Sequence, residues 1–204
     1  MEFPERISEF ITKKIAETLT DLSDEKLEQI SYGIAVLIAN LYKYAVIFIA
    51  AYFLKVFGYM LIALFSFGFL RTFAAGLHAK KEWTCLVSST AFVFGTIYIS
   101  KYWQPNYYVM TGIYLISLFL VYTYSPADSE ERPIFSKSYR LKMKILSSFA
   151  VLILYAIASY YYNTVISGII TTTTIIEVLL ILPVTYKIAG AEYATGLRIT
   201  KEEV

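Results

Sequence analysis

The chain has 204 residues, 57% of them hydrophobic and 17% charged, a formal net charge of +2 and a mean hydropathy of +0.57. That is too apolar for an ordinary soluble domain and too short for several membrane domains, so one polytopic membrane unit of all-α class is predicted. One cysteine excludes an intrachain disulfide and a thiolate-cage metal site, and a single histidine argues against a zinc site.

The first 28 residues carry twelve charged side chains and no apolar core, so no cleavable signal peptide is read there and insertion is expected to use internal helices. Within them Ile7, Phe10, Ile11, Ile15 and Leu19 recur at helical spacing, with Glu9, Lys13, Lys14 and Glu17 on the other face. This predicts an amphipathic helix within residues 1–22, lying in the membrane interface. Ser23 before Asp24 and Glu25 reads as the cap of a second helix that enters the bilayer. Six apolar stretches follow near residues 31–55, 57–73, 85–101, 107–124, 145–162 and 165–187, each close to the roughly 20 residues needed to span the hydrocarbon core. They place a transmembrane domain at 23–187 and a tail at 188–204. Tyr102, Trp103, Tyr107 and Tyr108 at one joint, and Tyr160, Tyr161 and Tyr162 at another, fit interfacial aromatic belts. With the N-terminus inside, fifteen of the 18 Lys and Arg residues fall on the inner side, which predicts both ends in the cytoplasm.

The chemistry concentrates between the second and third stretches, where His78 and Cys85 stand seven residues apart. A thiol attacks only as thiolate, and with a reference pKa of about 8.5 it needs a base such as an adjacent imidazole at neutral pH. In one unbroken helix the two residues would be about 10.5 Å apart along the axis, beyond hydrogen-bond reach. Either the pair is unrelated, a small hydrophobe and a solvated loop histidine, or the segment from Gly76 to Thr84 turns back and brings them together. Gly76 suits a tight turn, and Cys85 would then stand near a helix N-terminus, whose backbone N–H groups favour a thiolate and can line an oxyanion hole. Arg71 is read either as a snorkelling residue of the inner face or as a fixed positive charge for the thiolate or tetrahedral intermediate. Glu82 is read as a solvated carboxylate, or as a group orienting the imidazole.

Lys43 and Glu177 lie within apolar stretches, where ionisable groups face the bundle interior and pair with something. A contact between them, or of either with a polar substrate, is the expectation. Thr171 to Thr174 fit a helix interior because threonine bonds back to the preceding turn. The loop from Tyr124 to Ile134, with Asp128 and Arg132, leads into a basic run containing Arg140, Lys142 and Lys144. It reads as a solvated inner loop, or as a dock for an acidic peptide. No nucleic-acid patch, HExxH, GxSxG or phosphate-binding glycine loop is present.

Taken together, Arg71, the run Gly76-Leu77-His78-Ala79, Cys85, the Ser125-Pro126-Ala127-Asp128…Arg132-Pro133 loop, and Glu177 with Pro183 resemble the accessory gene regulator B family, membrane peptidases of Gram-positive quorum sensing. The resemblance implies that His78 and Cys85 form a catalytic dyad that cleaves off the C-terminal part of a small propeptide. It further implies that the acyl-enzyme passes to a side chain of the same peptide, closing a thiolactone or lactone ring. The expected partners are that propeptide, the lipid bilayer and a second copy of the chain as a homodimer, with no cofactor. A membrane transporter or scaffold using Lys43 and Glu177 in its core is the rival reading, and it expects Cys85→Ser to leave activity intact.

Overall fold

In the computed structural model of the chain, residues 3–18, 23–77, 82–127, 136–191 and 193 are described. Eight helices follow in order: α1 (Phe3–Thr18), α2 (Asp24–Phe53), α3 (Phe57–Ala74), α4 (Glu82–Tyr102), α5 (Tyr107–Tyr124), α6 (Lys137–Tyr160), α7 (Val165–Leu180) and α8 (Pro183–Ile188). Five of them, α2 to α6, are long and apolar enough to cross a membrane, and α7 is a shorter apolar helix of 16 residues. The chain is an all-α polytopic membrane protein.

The helices group into two units, Met1–Val56 and Phe57–Val204. In the first, α1 lies on α2. The side that α1 turns inward is small and polar: Pro4, Ser8 and Thr12 are buried, and Ser8 Oγ stands 3.4 Å from Ser31 Oγ on α2. Phe10 stays 62% exposed and Ile11 is exposed beside it, which leaves the apolar stripe of α1 available to lipid. Helix α2 starts after Ser23 as its sequence predicts, although the serine side chain makes no capping bond. Its 30 residues extend about 45 Å, longer than the hydrocarbon core, so the charged turn Asp24 to Glu28 projects beyond it.

The second unit is organised around α7, which packs against α3, α4, α5 and α6. Every residue from Ser167 to Thr174 is buried. A helix enclosed on all sides is not required to match the bilayer thickness, and this explains how 16 residues suffice. Two of the four threonines at that depth are satisfied locally, as Thr173 Oγ1 donates to the Ile169 carbonyl at 2.9 Å and Thr174 Oγ1 to the Ile170 carbonyl at 2.8 Å, whereas the hydroxyls of Thr171 and Thr172 are buried without such a bond. Small residues set the spacing. At Gly168 an added Cβ would stand 3.0 Å from Ser100 Cβ on α4, the close approach by which membrane helices gain dispersion contact.

Two boundaries differ from the sequence reading. The sixth apolar stretch is not one helix to residue 187, because α7 ends at Leu180 and the chain restarts as α8 with Pro183 in its first turn. The basic run Lys137 to Lys144 is not loop but the opening turns of α6, capped by Ser136, whose side chain accepts from the Tyr139 N–H.

Candidate active site

The site grows from the end of α3. Ala75 and Gly76 adopt φ values of 57° and 126°, so the helix stops at Ala74 and the chain turns aside before it reaches residue 78. No continuous helix therefore runs from α3 into α4. The stretch Ala75–Leu77 is then tied to two other elements. Ala75 forms a parallel bridge with Ala127: the Ala127 N–H donates to the Ala74 carbonyl at 3.0 Å, and the Gly76 N–H donates to the Ala127 carbonyl at 3.1 Å. One residue on, the Leu77 N–H donates to the carbonyl of Leu180, the last residue of α7, at 3.2 Å.

Arg71, in the last turn of α3, closes the junction from inside. Its Nη2 donates to the Gly76 carbonyl at 3.0 Å and to the Leu77 carbonyl, while Nη1 lies 3.3 Å and 3.4 Å from the two carboxylate oxygens of Glu177. The Glu177 side chain is 1% exposed and that of Arg71 15%, so the pair is largely out of water. Removing one member of such a pair strands the other charge, at a cost of about 3–5 kcal/mol. The turn leaves no room for a side chain at Gly76, where an added Cβ would lie 2.5 Å from Arg71 Nη1 and 3.3 Å from Ile181 Cγ2.

The other side of the bridge is braced in turn. Ser125 Oγ and Ser147 Oγ are 2.8 Å apart in the interior, Arg140 Nη1 donates to the Pro126 carbonyl at 3.3 Å, and Tyr186 of α8 donates to the Ala127 carbonyl at 3.3 Å. Pro126 and Ala127 act here through main-chain carbonyls, which any residue supplies, so the sequence gives no sign of these pairings.

Cys85 stands on α4. Helix α4 begins at Glu82, so the cysteine directly follows a first turn whose N–H groups have no partner within the helix. Its side chain is half-buried and its Sγ lies 3.9 Å from Ser89 Oγ, one turn further along. His78, Asp128 and Arg132 lie outside the described residues, as do residues 79–81.

The other sequence candidates separate. Glu177 takes Arg71 as its ion-pair partner, where Lys43 had been expected, and Lys43 Nζ donates to Asn40 Oδ1 at 2.9 Å on its own helix. Lys142 is exposed and Lys144 half-buried near the start of α6, with Lys144 Nζ 5.4 Å from the ring centre of Tyr122. The structure thus brings Arg71, Gly76 and Glu177 together, while Lys43 lies on α2 and Lys142 and Lys144 lie on α6.

Comparison with known proteins spans nearly the same length. The family model described as accessory gene regulator B matches residues 8–181. An AgrB-like protein of Clostridium acetobutylicum is 32% identical over 190 residues, covering 93% of this chain and 90% of the relative. The accessory gene regulator protein B of Staphylococcus aureus is 27% identical over 187 residues, covering 90% and 96%, and an AgrB-like protein of Listeria innocua is 27% identical over 171 residues, covering 83% of each. No solved structure matches the chain.

Proposed function

The chain belongs to the accessory gene regulator B family, whose members take part in quorum-sensing peptide processing, and we propose that within it this protein is a cysteine endopeptidase whose dyad is His78 and Cys85. The observation that carries the reading is the broken helix: α3 ends at Ala74, the chain turns at Ala75 and Gly76, and Cys85 stands just past the first turn of α4. With α3 ended before His78 and α4 begun just before Cys85, the two residues do not share one continuous helix, and a helix N-terminus at the cysteine end favours the thiolate that peptide-bond attack needs.

In the proposed reaction the His78 imidazole takes the Cys85 proton and the thiolate adds to a propeptide carbonyl at the membrane face. Collapse of the tetrahedral intermediate breaks the C–N bond, and His78 returns the proton to the departing amine. The N-terminal part of the peptide is left on Cys85 as a thioester. A thiol or hydroxyl of the same peptide then attacks the thioester carbonyl, the ring closes as thiolactone or lactone, and the Cys85 thiolate leaves and is reprotonated. Partial shielding by the bilayer favours this intramolecular attack over hydrolysis. Exchanging an amide for a thioester is uphill, so removal of a product must draw the reaction forward. The acidic end of a propeptide would be drawn to the basic start of α6 at Lys142 and Lys144, and Arg132, Asp128 and Lys43 are each candidate substrate contacts by their charge. We further propose that both chain ends face the cytoplasm, as the distribution of basic residues implies, and that the protein works in the bacterial cell membrane, with a second copy of the chain as a candidate partner.

The test is co-expression with a candidate propeptide followed by mass spectrometry of the released tail. Cys85→Ala and His78→Ala should each abolish cleavage while the protein still accumulates in membranes, because the two side chains act as one unit. Near-normal processing by either variant ends the dyad, and would favour a transporter or scaffold role.

A further inference from the structure

The Arg71–Glu177 pair does more than neutralise two charges. An ion pair that served only to join α3 and α7 would leave the remaining donors of the guanidinium to water or to neighbouring side chains. Here the other terminal nitrogen faces the chain, with Nη2 on the carbonyls of Gly76 and Leu77, the two residues immediately before His78 in sequence. Those carbonyls turn towards Arg71 because Gly76 takes a φ of 126°, and the absence of a Cβ lets the backbone approach the guanidinium. The next link is also direct: Leu77 N–H bonds to Leu180, one turn beyond Glu177 on the same helix. Glu177 and the Leu180 carbonyl therefore reach the same three-residue segment, one through Arg71 and one through the backbone.

We propose that Glu177 and Arg71 are positioning residues for the peptidase reaction: the buried carboxylate holds the guanidinium, the guanidinium holds the Gly76 and Leu77 carbonyls, and the clamp fixes the point from which the chain continues to His78. The inference rests on the dyad reading given above. It assigns Arg71 a role towards the backbone, and it gives Glu177 a role in place of substrate contact. The planar fork of arginine is required, since a lysine ammonium carries the charge but cannot meet a carboxylate and two carbonyls in fixed directions. Displacing a catalytic base by about 1 Å costs on the order of a hundredfold in rate, so the clamp should govern turnover more than affinity.

The experiment exchanges the two charges. In the double variant Arg71→Glu with Glu177→Arg the ion pair can re-form, but a carboxylate at position 71 has no proton to donate to either carbonyl. The clamp predicts that the exchange restores membrane accumulation relative to the single variants and leaves propeptide cleavage at least roughly tenfold below wild type in kcat, with KM little changed. A purely structural pair predicts that accumulation and cleavage return together, and that result would overturn the proposal. If the exchanged protein does not accumulate, Glu177→Asp and Arg71→Lys decide, since both keep the charges. Normal kcat in both would also overturn the clamp, whereas a fall in kcat at unchanged KM supports it. Cys85→Ala measured alongside separates the two layers. A cleaving Cys85→Ala protein removes the dyad, while an inactive Cys85→Ala protein beside a fully active exchange variant removes the clamp alone.

Discussion

Gly76 is where the backbone of the site is most constrained. Its φ of 126° is open to glycine and strained for any other residue, and the space a methyl group would fill is already held by Arg71 Nη1. Gly76→Ala is therefore expected to cost roughly 1–3 kcal/mol locally and to depress cleavage strongly while much of the protein still reaches the membrane. Immunoblotting of membranes beside the peptide assay checks it, and wild-type cleavage would mean that the turn does not matter. The turn itself was legible, because a glycine between an apolar stretch and a histidine signals a change of direction. The partner of Glu177 was not. Taken as one helix over 165–187, the last apolar stretch puts Glu177 near mid-membrane, where Lys43 is the natural counter-charge. Because α7 stops at Leu180, Glu177 stands in its last turn, and the residue that meets it there is Arg71 in the last turn of α3.

Among the elements, α7 carries the most packing and is the least tolerant of added bulk. A Cβ on Gly168 would meet Ser100 Cβ, Cα and carbonyl oxygen at 3.0–3.3 Å, contacts that include backbone and cannot be relieved by a rotamer change. Gly168→Val should destabilise the detergent-solubilised protein by about 1–3 kcal/mol, as read from a thermal unfolding shift. Gly95→Ala on α4, where nothing lies within 4 Å, should be neutral or slightly stabilising. Equal effects at the two positions would mean that the α4–α7 contact does not set the spacing. The sequence did mark most of these helices, since apolar runs bounded by aromatics and charges reflect the bilayer itself. It missed the two helical turns of α6 before Ile145, because basic residues on a helix outside the bilayer read as loop by hydropathy alone. It also gave no sign of the Ala75–Ala127 bridge, which is made by main-chain atoms whose pairing depends on tertiary position.

At the scale of the whole molecule, helices of the second unit meet at a short non-helical junction among the described residues, built from the end of α3, the turn after α5 and the end of α7. The helices were readable from composition, and the proposed chemistry rests on two residues that each occur once, whereas the junction that precedes His78 depends on which helix ends meet. The arrangement makes sense if the chain must carry a thioester long enough for a peptide to close on itself. Brief mixing of purified protein with propeptide, followed by intact-mass measurement, tests this most directly. The account predicts a covalent adduct on Cys85 equal in mass to the N-terminal part of the cleaved peptide, discharged by hydroxylamine and absent from the Cys85→Ala protein. Release of the tail at the wild-type rate by Cys85→Ala would contradict it.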